Sequence, residues 1–208
     1  MNFIQLRQGD IGYPGVLNKY PGNNVPESIT ALGNIEILSQ KMLALFCSVK
    51  CPGKMILQTY DLMQNMRQTN MTVISGFHSP MEKECLTILL RGHQSVIICP
   101  ARSIKGMRIG KDIKKALETG RLLLLSPFIR EKQRITAETS WERNRFVAAL
   151  ADKIFVTYAE PNSKTEQFSR EVLAWGKPLY TFSGSFNKNL IELGAKPVTH
   201  ENISEWLR

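Results

Sequence analysis

The chain has 208 residues, 43% of them hydrophobic and 22% charged, a balance that excludes extensive disorder and suits one domain with a substantial core. Lysine and arginine number 27 against 18 acidic residues, giving a formal +9 and a surface field that attracts polyanions, so nucleic acid is the first partner to consider. No segment reaches the roughly 18 apolar residues of a membrane span, and the opening MNFIQLRQGDIGYPG lacks the apolar core of an export signal, so a cytoplasmic chain with no membrane role is expected.

Residues 1–40 are rich in Gly, Pro and Asn through YPGVLNKYPGNNVP and predict an irregular arm packed on the core, with the domain proper over 41–208. From there short apolar runs alternate with amphipathic ones. Strands are predicted at 42–48, 71–76, 95–100, 121–127, 153–160 and 177–182. Helices are predicted near 54–69, 80–91, 111–119, 140–151, 164–175 and 186–193, with ENISEWLR closing the chain. The strand runs are apolar on both faces, so helices must cover both sides of the sheet: an α/β fold, doubly wound and mostly parallel. Gly92, Gly120, Gly176 and Gly194 fall just past helical stretches, where a left-handed residue stops a helix. Cys47, Cys51, Cys85 and Cys99 are scattered and predict free thiols; with His78, His93 and His200 isolated, no metal is expected.

Ligands of such sheets collect at the carboxyl ends of the strands, beside the positive N-termini of the next helices. The segments there are Cys47-Ser48-Val49-Lys50, Ser75-Gly76-Phe77, Pro100-Ala101-Arg102, Ser126-Pro127-Phe128 and Glu160 through Thr165. Small, hydroxylic and cationic residues recur in them with few carboxylates, which suits an anion better than a metal. Ser163-Lys164-Thr165-Glu166 has the capping-box form, and Lys164 in a first helical turn opposes the helix dipole unless an anion sits beside it. In Arg143-Asn144-Arg145 the two arginines diverge by about 200° around a helix capped by Thr139 or Ser140, so one can bind while the other pairs or packs. Arg102, Lys105, Arg108, Lys111 and Lys114 recur every third residue; Gly106 and Gly110 make this a basic loop feeding a short helix, readable as a solvated face or as a phosphate-tracking groove. Phe77, Phe128 and Trp141 are the rim aromatics available to stack bases, whereas Trp175 and Tyr180 read as core. The dinucleotide and Walker signatures are absent, so no NAD or ATP cofactor is expected, and no rim holds the carboxylates of a two-metal nuclease.

Tyr13-Pro14-x-x-Leu17, Gly33-Asn34, Ser75-Gly76, Arg143-Asn144-Arg145 within WERNRFVAALADKIFVTYAE, and Asn189-Leu190-Ile191-x-x-Gly194-Ala195 follow one another in an order that resembles the DprA/Smf DNA-processing family. The resemblance implies a Rossmann-like core that binds single-stranded DNA, commonly forms a homodimer, and hands the DNA to a RecA-type recombinase. Loop chemistry, the basic ladder and the resemblance together point to DNA or phosphate contacts from Ser48, Lys50, Ser75, Gly76 and Arg102, from Lys111 and Lys114, from Arg143, Asn144 and Arg145, and from Ser163, Lys164 and Thr165. The sequence departs from the family pattern in four places. Gly-Ser-Arg reads Cys47-Ser48-Val49 with Lys50 one place later, Ser-Gly-x-Ala-x-Gly-x-Asp reads Ser75 through Glu82, Phe-Pro reads Ser140-Trp141, and Ser-Gly-Ser-Leu-x-Thr-Ala shrinks to Asn162 through Glu166. A second reading comes from the related nucleotide phosphoribohydrolases, whose Pro-Gly-Gly-x-Gly-Thr-x-x-Glu would fall at Glu160–Glu166 without its paired glycines: a protein that binds a nucleotide or cleaves its N-glycosidic bond. A third is an interaction scaffold with an inert pocket.

Overall fold

Runs such as Met42–Cys47 and Leu122–Ser126 are buried along their whole length, and such strands are stable only where both faces are covered. The computed structural model, which describes residues 2–19, 25–128, 134–199 and 206, shows how this is met. In chain order the elements are β1 (Ile4–Arg7), β2 (Ser28–Gly33), β3 (Met42–Cys47), α1 (Gly53–Met66), β4 (Thr72–Ser75), α2 (Pro80–Leu89), β5 (Val96–Ile98) and α3 (Lys111–Glu118). Then come β6 (Leu122–Ser126), α4 (Ala137–Leu150), β7 (Lys153–Tyr158), α5 (Lys164–Ala174), β8 (Leu179–Phe182), α6 (Lys188–Glu192) and β9 (Lys196–Val198). The sheet order is β1-β2-β6-β5-β4-β3-β7-β8-β9, parallel from β6 through β9.

Alternate residues of each central strand feed opposite layers. Leu43, Leu45, Leu122 and Leu124 pack with Met55, Leu62, Met63, Cys85 and Leu117 of α1, α2 and α3. Ala44, Phe46, Leu123 and Leu125 pack with Phe146, Val147, Phe168 and Val172 of α4 and α5. The predicted doubly wound architecture is therefore observed, and each of the six predicted strands contains an observed one.

The arm is not irregular throughout. β2 pairs antiparallel with β6 and β1 with β2, so residues 1–40 contribute two strands to the sheet. The family motifs there anchor it: the Tyr13 hydroxyl donates to the Pro26 carbonyl at 2.5 Å, and Leu17 is fully buried. At Gly33 (φ +116) a Cβ would lie 2.3 Å from the Leu122 carbonyl oxygen, so only glycine brings β2 that close to β6. Gly120, Gly176 and Gly194 take positive φ as expected, but Gly92 does not. It is needed for close approach instead, because a Cβ would meet the Arg67 side chain at 2.5 Å. The cap of α4 is Thr136 rather than Thr139 or Ser140: Thr136 and Thr139 exchange hydroxyl-to-N–H bonds at 3.1 and 2.9 Å, a box closed by a hydroxyl where the usual partner is a carboxylate. Most of ENISEWLR lies outside the described residues; Trp206 packs on Phe155 and Tyr180 at 5.1 and 5.3 Å between ring centres.

Lys177 closes the other end of α4, its ammonium donating to the carbonyls of Ala149 and Ala151 at 2.9 and 2.7 Å. Charge near helix C-terminal carbonyls is favourable. Lys177→Met is expected to lower unfolding stability by about 1–2 kcal/mol, the scale of charged hydrogen bonds lost at a partly buried helix end. Urea unfolding checks it; an unchanged midpoint would remove the capping role.

Candidate functional site

β3 is flanked by β4 on one side and β7 on the other, so the chain leaves these neighbours in opposite directions and a crevice opens beyond their carboxyl ends. Ser48, just past β3, is 4% exposed; its hydroxyl accepts the Glu160 N–H at 3.0 Å and lies 3.4 Å from the Ser163 hydroxyl past β7. The crevice is thus spanned by two serines. Ser163 caps α5 by accepting the Glu166 N–H at 3.3 Å. The return bond of the expected box falls one residue earlier: Glu166 accepts the N–H of Asn162 at 2.7 Å, with Asn162 in the left-handed conformation (φ +61). The other Glu166 oxygen accepts from Asn189 at 2.8 Å, and Asn189 also donates to the Ala159 carbonyl at 3.1 Å. This is what the Asn189-Leu190-Ile191 motif does: it ties α6 to the β7–α5 loop.

On the α4 and α5 side of the crevice lies a cavity of ≈ 240 Å³. Its apolar wall is Phe46, Trp141 and Phe168, packed edge to face with centroids 4.9 Å (Phe46 to Phe168) and 5.8 Å (Trp141 to Phe168) apart. Ser140, Asn144, Lys164 and Thr165 supply the polar wall. Glu82 borders it, buried, with one carboxylate oxygen accepting the Cys47 N–H at 3.1 Å and the other accepting those of His78 and Ser79 at 2.8 and 3.4 Å. The backbone donors at the end of β3 and the start of α2 therefore already hold an internal anion.

Of the residues predicted at the site, Ser48, Ser75, Gly76 and Ser163 gather at this one edge of the sheet, Ser75 as the last residue of β4 and the others just past their strands. Ser75 is fully buried, donating to the Leu45 carbonyl at 2.8 Å and accepting the Phe77 N–H at 3.2 Å, so it shapes the loop. Ser126 repeats the device, donating to the Arg102 carbonyl and accepting the Phe128 N–H. These turns bury Phe77 (φ +47) and Phe128, leaving Trp141 as the rim aromatic in the cavity wall.

Gly76 and Arg143 form one unit. Arg143, 4% exposed, donates to the Cys99 carbonyl at 3.1 Å and to the Asn144 side chain at 2.7 Å, and a Cβ on Gly76 would fall 1.2 Å from its Nη1. Burial lowers the Arg143 pKa. Arg145 points elsewhere, pairing with Glu171 at 2.7 Å and lying 5.6 Å over the Trp175 ring. The expectation that one of these arginines holds a ligand in the strand-end pocket meets a different geometry: neither lines the cavity, and Asn144 between them does. Lys50 is exposed in the turn after β3, and Lys111 is exposed at the first position of α3. Lys114 lies 3.9 Å from Glu118 on the exposed side of α3, and Arg102 donates to the Ser103 carbonyl. The sequence reading missed Phe46, Glu82 and Phe168. Spacing was a signal for Phe168, which shares a helical face with Lys164; Phe46 and Glu82, on β3 and α2, carry no such signal.

Among the described residues no three His, Cys, Asp or Glu gather to hold a metal, and no helix is long and apolar enough to cross a membrane. The fold defines a Rossmann-like domain with a crevice at the switch point of the sheet. The chain belongs to the DNA recombination-mediator protein A family, whose sequence model matches residues 5–207. DNA processing protein A (DprA) from Streptococcus pneumoniae superposes with a TM-score of 0.81 at 17% identity, covering 100% of this chain and 75% of that one. DNA processing protein A from Helicobacter pylori, whose structure describes a single-stranded DNA binding mode, gives 0.79 at 17% identity, covering 100% and 94%. The molybdenum cofactor carrier protein from Chlamydomonas reinhardtii gives 0.53 at 10% identity, covering 79% and 92%. At these identities the likeness is one of fold. Among curated proteins nothing matches.

Proposed function

We propose that this protein binds single-stranded DNA as a DNA-processing protein, with the strand's phosphates in the crevice between the β3–α1 and β7–α5 loops. The observation that carries the reading is the convergence there of two helix N-termini with Lys50 and Lys164. α1 has no side-chain cap, and a Cβ on Gly53 would meet nothing within 4 Å, so its first N–H groups are open to an anion. Trp141, Ser140, Asn144 and Thr165 in the adjoining cavity wall suit a base or sugar beside those phosphates. The basic loop from Arg102 to Lys111 leaves β5 at the same edge and extends the positive field along the strand. In this reading Ser75, Gly76, Arg143 and Arg145 act by holding the loops in place. A homodimer, a RecA-type recombinase that receives the DNA, and a cytoplasmic place of work belong to the same proposal, supported by membership of the recombination-mediator family.

Lys50→Ala/Lys164→Ala is expected to weaken binding of a fluorescent oligonucleotide by about 1–3 kcal/mol without loss of fold, the scale of charged hydrogen bonds to phosphate. Lys111→Ala/Lys114→Ala should cost less per residue and flatten the dependence of log affinity on log salt. A wild type that binds no single-stranded DNA even at low salt would end the assignment. Release of free base from a nucleoside monophosphate would replace it with the phosphoribohydrolase reading.

A further inference from the structure

α1 turns one face to the sheet through Met55, Thr59, Leu62, Met63 and Met66, all fully buried or nearly so. Its other side is unusually apolar for a surface. Ile56, Leu57 and Tyr60 are 41%, 68% and 43% exposed, and at about 100° per residue they occupy one arc of roughly 100° on the helix. Two more exposed apolar residues lie near the start of α1. Val49, 71% exposed, sits in the turn between Ser48 and Lys50. Phe186, 42% exposed, lies in the 3-10 turn after β8, which the Asn187 side chain brings beside the first turn of α1 by contacting the Met55 sulfur at 3.8 Å and donating to the Thr157 carbonyl at 2.9 Å. Lys50 and Lys54 are exposed at the crevice end of the helix, Asp61 is exposed beside Tyr60, and Lys188, two residues past Phe186, lies 3.5 Å from Glu192.

Isolated exposed apolar residues are ordinary, but five on neighbouring segments, with Lys50 and Lys54 at their crevice end, need an occupant. Two features select it. The strip begins in the crevice itself, because Val49 lies between the crevice residues Ser48 and Lys50, and it carries two exposed aromatic rings, Tyr60 and Phe186. Single-stranded nucleic acid presents alternating phosphates and flat apolar faces, and is bound by basic tracks that carry stacking side chains. We infer that the α1 strip of Val49, Ile56, Leu57, Tyr60 and Phe186 is a stacking track for the bases of the DNA leaving the crevice, so that the strand runs from the α4–α5 cavity across the switch point and along α1. This rests on the proposed single-stranded DNA binding and adds to it a direction and a second set of contacts.

The strip must then matter for long strands and not for short ones. Fluorescence anisotropy with a series of oligothymidylates of increasing length, on the full chain, tests this with Leu57→Ser/Tyr60→Ser, Phe186→Ser and the conservative pair Tyr60→Phe and Phe186→Tyr. The expected result is that the wild type gains affinity with length beyond what the crevice alone holds. The serine variants lose about tenfold on the longest oligonucleotides and nothing on the shortest, as loss of stacking would. Their salt dependence stays that of the wild type, since no phosphate contact is removed, and the conservative variants bind as the wild type does. Equal affinity of serine variants and wild type at every length overturns the inference while leaving the crevice assignment standing, provided Lys50→Ala/Lys164→Ala still weakens binding. A shift of Leu57→Ser/Tyr60→Ser to a smaller species in sedimentation, with length dependence unchanged, overturns it in favour of an interface between copies of the chain. Absence of DNA binding by the wild type removes the crevice reading and the track together.

Discussion

Gly76→Ala lowers unfolding stability by about 3 kcal/mol, although glycine there does not take a left-handed φ. The new methyl would sit 1.2 Å from Nη1 and 1.9 Å from Cζ of Arg143. The end of an arginine is normally easy to displace, but this one is buried and bonded to the Cys99 carbonyl at 3.1 Å. Moving it leaves a buried carbonyl unpaired and a buried guanidinium in search of acceptors, each a cost of about 1–3 kcal/mol. The effect belongs to the pair, so a double-mutant cycle identifies it: in an Arg143→Ala background, Gly76→Ala should cost about 0.5 kcal/mol or less. Additive effects in urea unfolding would show that the Ser-Gly and Arg-Asn-Arg motifs are not coupled.

Glu82→Gln costs about 2–4 kcal/mol, more than an isosteric change usually does. Both carboxylate oxygens are engaged by backbone N–H groups, one by Cys47 and the other by His78 and Ser79. An amide can present only one oxygen, so whichever way it turns an NH₂ faces an N–H and buried donors go unmet. The same change removes a negative charge from the edge of the cavity, so DNA affinity should hold or rise while the thermal midpoint falls. A variant that loses DNA affinity under conditions where it remains folded would place Glu82 in ligand contact instead of beneath it.

The difference between these residues and the surface lysines marks what the sequence could convey. β3, β4, β5, β6, β7 and β8 were legible because strands covered on both faces need continuous apolar runs, and Met42–Cys47 or Leu122–Ser126 has no other use. β2, with the small and mixed residues SITALG, and β9, with KPV, carry no such run; β2 is specified by β6, distant in the chain, and β9 is a three-residue strand added beside β8. At the site, the position of Ser48 and Ser163 follows from strand ends alone. The divergence of Arg143 from Arg145 followed from helix geometry, but their engagement did not, because it depends on the missing Cβ of Gly76 and on Glu171 two elements away. The cavity wall was hidden for a related reason: Ser140, Trp141 and Asn144 declare a function only once α4 is known to face α5.

The pairing of β2 with β6 also sets an order of events. Thr30 meets Ser126 and Gly33 meets Leu123, so the β1–β2 pair, though made earlier than β6, has no place in the sheet until β6 follows it. Contacts between segments so far apart in sequence are the slowest to form, because a long loop must close before they are rewarded. Until then β6 is the outer strand of a growing parallel sheet, four consecutive leucines with one row of backbone groups open, the kind of edge that recruits a second chain. Returning late and antiparallel, the arm acts as the cover for that edge, and the nascent protein's exposure to aggregation ends when Gly33 slides beneath the Leu122 carbonyl.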